Sequence, residues 1–117
     1  MSDTSSILTL EPQETELRRS KGDCWKTPSS VGSRQVPGQY TFTDRRILFR
    51  GNGLIEKLRL TFSIPYGDIA AVKPFSINLF IRTGIQVELK NGGVYKLSVM
   101  KRDEIMALIQ AQMAACS

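Results

Sequence analysis

Apolar and polar residues alternate with a period of two through most of this chain. The clearest stretch is "GQYTFTDRRILFRG", residues 38–51, where Tyr40, Phe42, Ile47 and Phe49 are set apart by polar positions. That period predicts half-buried β-strands. A four-residue loop, Thr43-Asp44-Arg45-Arg46, puts Phe42 opposite Ile47 and Tyr40 opposite Phe49, so all of these side chains share one face. A slip of one residue would turn the aromatics to solvent, which pins the register. Leu58, Leu60, Phe62 and Ile64 alternate up to Pro65, where the lost N–H ends the ladder. Ile69 and Val72 predict a short strand before Lys73-Pro74, and Ile77, Leu79 and Ile81 predict another over residues 76–82.

The last hairpin alternates Ile85, Val87 and Leu89 with polar residues, then Tyr95, Leu97 and Val99. A two-residue loop would send the two apolar sets to opposite faces. A three-residue loop, Asn91-Gly92-Gly93, pairs Leu89 with Tyr95 and keeps them together, with Gly93 in the left-handed region. From residue 101 to 115 the period changes. Ile105, Leu108, Ile109 and Met113 fall at helical spacing, and Asp103 and Glu104 occupy the first turn, where the helix dipole favours negative charge. Upstream, residues 14–27 are charged and read as a first strand, partly at a sheet edge, where charge discourages aggregation. Residues 28–38 carry the Pro, Ser and Gly of a long loop. The sum is about seven antiparallel strands followed by one helix, an α+β chain that is mostly β. Residues 1–7 are expected to be a flexible tail, and residues 8–117 a single domain.

Composition narrows the function. The chain has 117 residues, enough for one core, and 16 Lys+Arg against 11 Asp+Glu give a net charge of +5. That balance permits attraction to anionic lipid, nucleic acid or acidic protein without requiring any of them. There is no histidine, so the commonest general base and metal ligand are missing. Cys24 and Cys116 lie too far apart for a zinc spacing and are expected to be free thiols. No phosphate-cradling glycine loop is present. These absences argue against an enzyme and against a cofactor. No signal peptide and no apolar run of membrane-spanning length can be read, so a cytoplasmic protein is expected, one that meets a membrane only at its inner surface.

The order of the phrases resembles that of small bacterial PH-like and GRAM-like domains. "LEPQETELRRSKGD" looks like their opening Leu-x-Pro-x-Glu phrase, here Leu10, Pro12 and Glu14. "GQYTFTDRRILF" resembles a Gly followed by apolar-Thr-x-x-Arg-apolar-apolar-Phe, here Gly38, Phe42, Thr43, Arg46, Ile47, Leu48 and Phe49. "SIPYGDIAAV" and "IQVELKNGGVYKL" look like the family's Ile-Pro-Tyr strand and closing hairpin. The resemblance covers residues 8–115. It implies a PH-like barrel, two near-orthogonal sheets capped by the C-terminal helix (about 101–115). It also implies a non-catalytic binding module for lipid headgroups or a protein partner. PH domains that grip phosphoinositides carry a basic pattern from the end of the first strand, which Lys21 and Lys26 could supply here, into an Arg-x-Arg in the second. "QYTFTD" has none, so no specific phosphoinositide is expected.

Candidate contact residues follow from the strand alternation. Arg46, Arg50, Lys57 and Arg59 point away from the aromatics and would form one basic face for anionic headgroups. The alternative is a solvated face whose arginines pair with Glu14 or Glu16, and Arg46 in particular could hold the turn. Lys26 and Arg34 flank the long loop beside Trp25, which suits either a membrane interface or the core. Phe75 and Phe80 fall out of phase with their strand and, with Val94 or Met100, suggest a partner surface or a homo-oligomer contact. Nucleic acid is not expected, since no aromatic stacking platform is apparent.

Overall fold

The computed structural model describes residues 9–29, 35–52, 60–76 and 83–116. In chain order these hold β1 (Glu16–Lys26), β2 (Val36–Thr43), β3 (Arg46–Gly51), β4 (Thr61–Pro65), a 3-10 turn (Tyr66–Asp68), β5 (Ile69–Phe75), β6 (Gly84–Leu89), β7 (Val94–Val99) and the helix α1 (Arg102–Ala115). The strands form one antiparallel sheet in the order β4-β3-β2-β1-β7-β6-β5. The two-sheet expectation therefore becomes two halves of one curled sheet that share β1. The α+β class and the C-terminal helix stand as expected.

The register of the β2–β3 hairpin is the predicted one, with Tyr40 opposite Phe49 and Phe42 opposite Ile47. All of them are buried, and their rings extend into a chain that crosses the core. Tyr40 lies 4.6 Å from Phe49, Phe49 lies 5.0 Å from Phe62, and Phe62 lies 4.7 Å from Tyr95, centroid to centroid. The last step joins β4 to β7, which are far apart in the strand order, so it is this contact that records the curl of the sheet. Ile105 and Ile109 of α1 are buried against the same core, with Leu108 and Met113 packed beside them. Gly38 leaves room for the ring chain: a Cβ there would stand 2.6 Å from Phe49 Cζ.

Three expectations need correction. β1 is central in the strand order, not an edge strand, because β7 pairs with it from Gly22 to Lys26 while β2 pairs along its length. β5 does not stop before Lys73-Pro74; it runs through Pro74 to Phe75. Proline is tolerated there because β5 is the outer strand of its half and pairs with β6 alone among the described strands. The closing hairpin does have a three-residue loop, but one residue earlier, Lys90-Asn91-Gly92. Gly92, not Gly93, takes the left-handed conformation (φ 93°), and its N–H donates to Leu89 O at 3.0 Å. Asn91 Oδ1 accepts the Gly93 N–H, which closes the turn early. The pairing moves by two residues, with Val87 opposite Tyr95, so the apolar sets stay on one face. The expected strand over 76–82, the first part of the strand over 58–65 and the tail 1–7 fall largely or wholly outside the described residues.

One buried ion pair ties the N-terminal segment to this sheet. The side chain of Glu14 is fully buried and that of Arg46 is 15% exposed. Arg46 reaches both carboxylate oxygens, Nε to Oε2 at 2.9 Å and Nη2 to Oε1 at 2.9 Å, a bidentate fork. The remaining acceptor sites are filled as well. Thr43 Oγ1 donates to Oε2 at 2.6 Å, and the Glu11 N–H donates to Oε1 at 3.0 Å. Thr43 Oγ1 also accepts the N–H groups of Arg45 and Arg46, and Tyr66 donates its phenol to Thr43 O at 2.8 Å. The Arg46 fork holds the Glu14 carboxyl down to about 2 despite its burial, helped by Thr43 and the Glu11 N–H.

The ring chain makes Phe62→Ala expensive, by about 3–5 kcal/mol in urea denaturation, whereas Thr61→Ala on the outer side should stay within about 0.5 kcal/mol. The Glu14 carboxyl is depressed in the folded state. Its stabilisation is therefore complete above the ordinary value of 4.5 and is lost as pH falls toward about 2. Across that window the wild type should lose on the order of 3 kcal/mol more than Glu14→Gln does. Equal acid sensitivity of the two proteins in urea melts would contradict this assignment.

Candidate anion-binding face

β1 is the spine of the candidate surface. Its alternation sends Arg19 and Lys21 to the outer side of the sheet, opposite the face that holds the core. Pairing aligns them in cross-strand rows. Arg19 lies opposite Thr41, which lies opposite Leu48, and Lys21 lies opposite Gln39, which lies opposite Arg50. Arg19, Gln39, Thr41, Leu48 and Arg50 line an open groove of about 150 Å3. Arg50 and Arg19 thus border this groove from neighbouring rows, Arg19 with its guanidinium on Glu16 at 2.6 Å.

The described cations divide into paired and unpaired sets. Arg18 meets Glu104 of α1 at 3.0 Å, Arg19 meets Glu16 at 2.6 Å, Arg45 meets Glu11 at 2.9 Å and Lys73 meets Glu88 at 3.2 Å. These contacts lower the Glu104 and Glu88 carboxyls, Glu104 chiefly through Arg18 and Glu88 through Gln86 and Lys73. Arg46 belongs to the Glu14 pair. Its expected place in a headgroup-binding face is corrected accordingly: it has the right alternation, but a buried acid occupies its guanidinium. By contrast, Lys21, Arg50, Lys26 and Lys96 make no ion pair among the described residues. No acid stands in the Lys21–Gln39–Arg50 row.

The outer side is also less bare than its alternation suggests. Thr43 and Leu48 are buried, Thr43 by the Glu14 pair. Thr61 and Ser63 of β4 do lie on this side, opposite Arg50 and Leu48. Lys57, Arg59, Arg34 and Phe80 fall outside the described residues. Lys26 stands opposite Lys96 of β7, two half-buried lysines in direct register. Like charges so placed repel each other and favour an anion between or above them. The register shifts between Cys24 and Lys26, which puts Trp25 on a bulge. Trp25 is half-buried outside the main core cluster, and its indole N–H is buried with no acceptor among the described residues. Phe75 is half-buried too. It lies against Gly84, where a Cβ would come within 2.7 Å of its ring, and Lys96 Nζ sits 5.7 Å from the ring centroid. Cys24 and Cys116 are free thiols, and burial pushes the Cys24 thiol up to about 11.

Arg19, Lys21, Gln39 and Lys96 are the residues that periodicity alone did not bring to this surface. Reading β1 as a partial edge strand left its cations unaligned with β2. Lys26 and Lys96 are 70 positions apart and meet only through the β1–β7 pairing. An alternation of Arg19 and Lys21 was visible within "ELRRSKGD", and it was the available signal.

No family model and no curated protein matches the sequence. Solved structures do match. The C-terminal domain of an unknown protein from Leishmania infantum superposes with a TM-score of 0.72 at 19% identity, covering 96% of this chain and 93% of that one. The Vps36 N-terminal PH domain gives 0.60 at 19% identity, covering 92% and 83%. The Slm1 PH domain, solved in complex with inositol 4-phosphate, gives 0.58 at 12% identity, covering 88% and 99%. At these identities the likeness speaks for the fold alone: a curled sheet closed by a C-terminal helix, PH-like in architecture.

Proposed function

We propose that this chain is a non-catalytic binding module of the PH/GRAM kind that takes an anionic membrane surface through the outer face along β1. The observation that carries the reading is the Lys21–Gln39–Arg50 row. There two cations with no ion pair among the described residues flank an amide beside a groove, with no acid in the row. Lys26 and Lys96 add positive charge further along β1, beyond Asp23, which shares the outer alternation and accepts the Gln35 amide N–H. The phrases that resemble small bacterial GRAM-like domains support the class. The Slm1 PH domain, a neighbour in fold, was solved in complex with inositol 4-phosphate, which supports an anionic ligand class. With no Arg-x-Arg in β2, the reading is of charge attraction to a surface, not of one specific phosphoinositide. Such a module would work at the cytoplasmic face of a membrane. No helix among the described residues is long and apolar enough to cross one.

Protein binding, including self-association, is the second reading. The outer strands β4 and β5 offer backbone edges for it. Each carries a proline, Pro65 or Pro74, which blunts the edge. The charged face therefore has the stronger support.

Co-sedimentation with phosphatidylserine-containing vesicles tests the reading. Wild-type protein should pellet in a salt-sensitive manner. Lys21→Gln/Arg50→Gln should weaken partitioning by about tenfold to thirtyfold, at about 1 kcal/mol per basic residue near the surface. A folded double variant that pellets like wild type would contradict the assignment, as would a wild type that ignores anionic vesicles.

A further inference from the structure

The corner between β7 and α1 breaks several local preferences at once. Met100 is 70% exposed, the most exposed large apolar side chain among the described residues. Lys101 adopts a left-handed conformation (φ 54°, ψ 52°), and no other non-glycine residue described has a positive φ. That conformation is disfavoured for a residue with a Cβ and is ordinarily given to Gly or Asn. Lys101 is also the N-cap of α1, yet it makes no side-chain cap bond. Ser, Thr, Asp or Asn would supply one. A cation here faces the helix end that favours anions. A corner shaped by stability alone would carry Gly, Asn or Asp. Outliers that persist against such preferences are a starting point for a functional hypothesis.

Register places this corner on the candidate face. The β1–β7 pairing reaches Gly22 opposite Val99. One step further along the two chains stand Lys21 and Met100. Continued by one residue, that register would set Met100 beside Lys21 at the end of the Lys21–Gln39–Arg50 row, with Lys101 next in the chain, both lysines exposed, and Asp103 and Glu104 following in the first turn of α1. An unbranched apolar side chain between two lysines matches the layering of an anionic bilayer. The thioether can enter the headgroup–acyl boundary while the ammonium groups stay at phosphate level.

We propose that Met100 and Lys101 form the apolar anchor of the module. Met100 inserts into an anionic bilayer once Lys21 and Arg50 have drawn the face onto it. The inference rests on the membrane reading above, and its test separates the two. Cys116→Ser removes the exposed thiol, Cys24 is buried, and Met100→Cys then accepts an environment-sensitive fluorophore. With phosphatidylcholine–phosphatidylserine vesicles the label should shift to the blue and become shielded from iodide. Unlabelled Met100→Ser should partition about fivefold to tenfold more weakly, with the same slope against log salt, because apolar area and not charge is lost. Lys101→Gly should melt at a higher temperature than wild type yet bind a few-fold more weakly.

If wild type binds vesicles while the label stays exposed and Met100→Ser partitions unchanged, the anchor is wrong and the charged face stands. Absence of wild-type vesicle binding would overturn both. A label shielded by raised protein concentration alone, without vesicles, would assign the corner to a second copy of the chain and overturn the anchor. Lys101→Gly binding as tightly as wild type would remove Lys101 from it.

Discussion

The fold turns on one bidentate contact, the Arg46 guanidinium on the buried Glu14 carboxylate. A buried carboxylate with a missing partner is costly, so the site is stable only with every acceptor filled. Arg46, Thr43 and the Glu11 N–H fill them. Through Thr43 and Tyr66 the same node gathers the β2–β3 turn and the entry to β5. Asp44 adds a reciprocal pair with Thr15, its N–H to Thr15 O and its Oδ1 to the Thr15 N–H, each at 3.0 Å. Residues 11–15 lead straight into β1. Fixing them on the turn sets β1 beside β2, and β1 then carries both halves of the sheet.

That constraint also sorts the positive charge. Arg46 and Arg50 follow the same alternation on β3, yet one is bound to an interior acid and the other is exposed with no ion pair among the described residues. Arg18 and Arg19 are neighbours on β1 and point to opposite sides, Arg18 to Glu104 of the helix and Arg19 to the groove. A net charge of +5 is too modest to imply a ligand. Its distribution says more: Arg18, Arg19, Arg45 and Arg46 each meet an acid, while Lys21 and Arg50 of the outer row meet none among the described residues.

The β2–β3 register and the helix were legible because each depends on a local period, two residues for a strand and 3.6 for a helix. The hairpin at 90–92 was legible in loop length but not in position: Gly92 takes the left-handed conformation, and Asn91 Oδ1 accepts the Gly93 N–H. The place of β1 was not legible. Its charge resembled an edge strand, and its partners lie at sequence distances that periodicity does not reach. The family phrases hid a similar fact. Glu14, Thr43, Arg46 and Tyr66 come from three separate phrases, each of low specificity, and they meet at one hydrogen-bonded node. The candidate site divided in the same way. Arg50 followed from alternation alone, whereas Lys21 and Lys96 needed the β1 pairings to acquire neighbours.

A double-mutant cycle on the node tests this account most directly. Glu14→Gln, Arg46→Gln and the double variant would be compared by urea denaturation at neutral pH. A clamp of the kind described predicts a coupling energy of about 2 kcal/mol or more, with the double variant far less destabilised than the sum of the singles. Additivity to within about 0.5 kcal/mol would mean that the two side chains act independently, and it would contradict the claim that their pairing holds the sheet together.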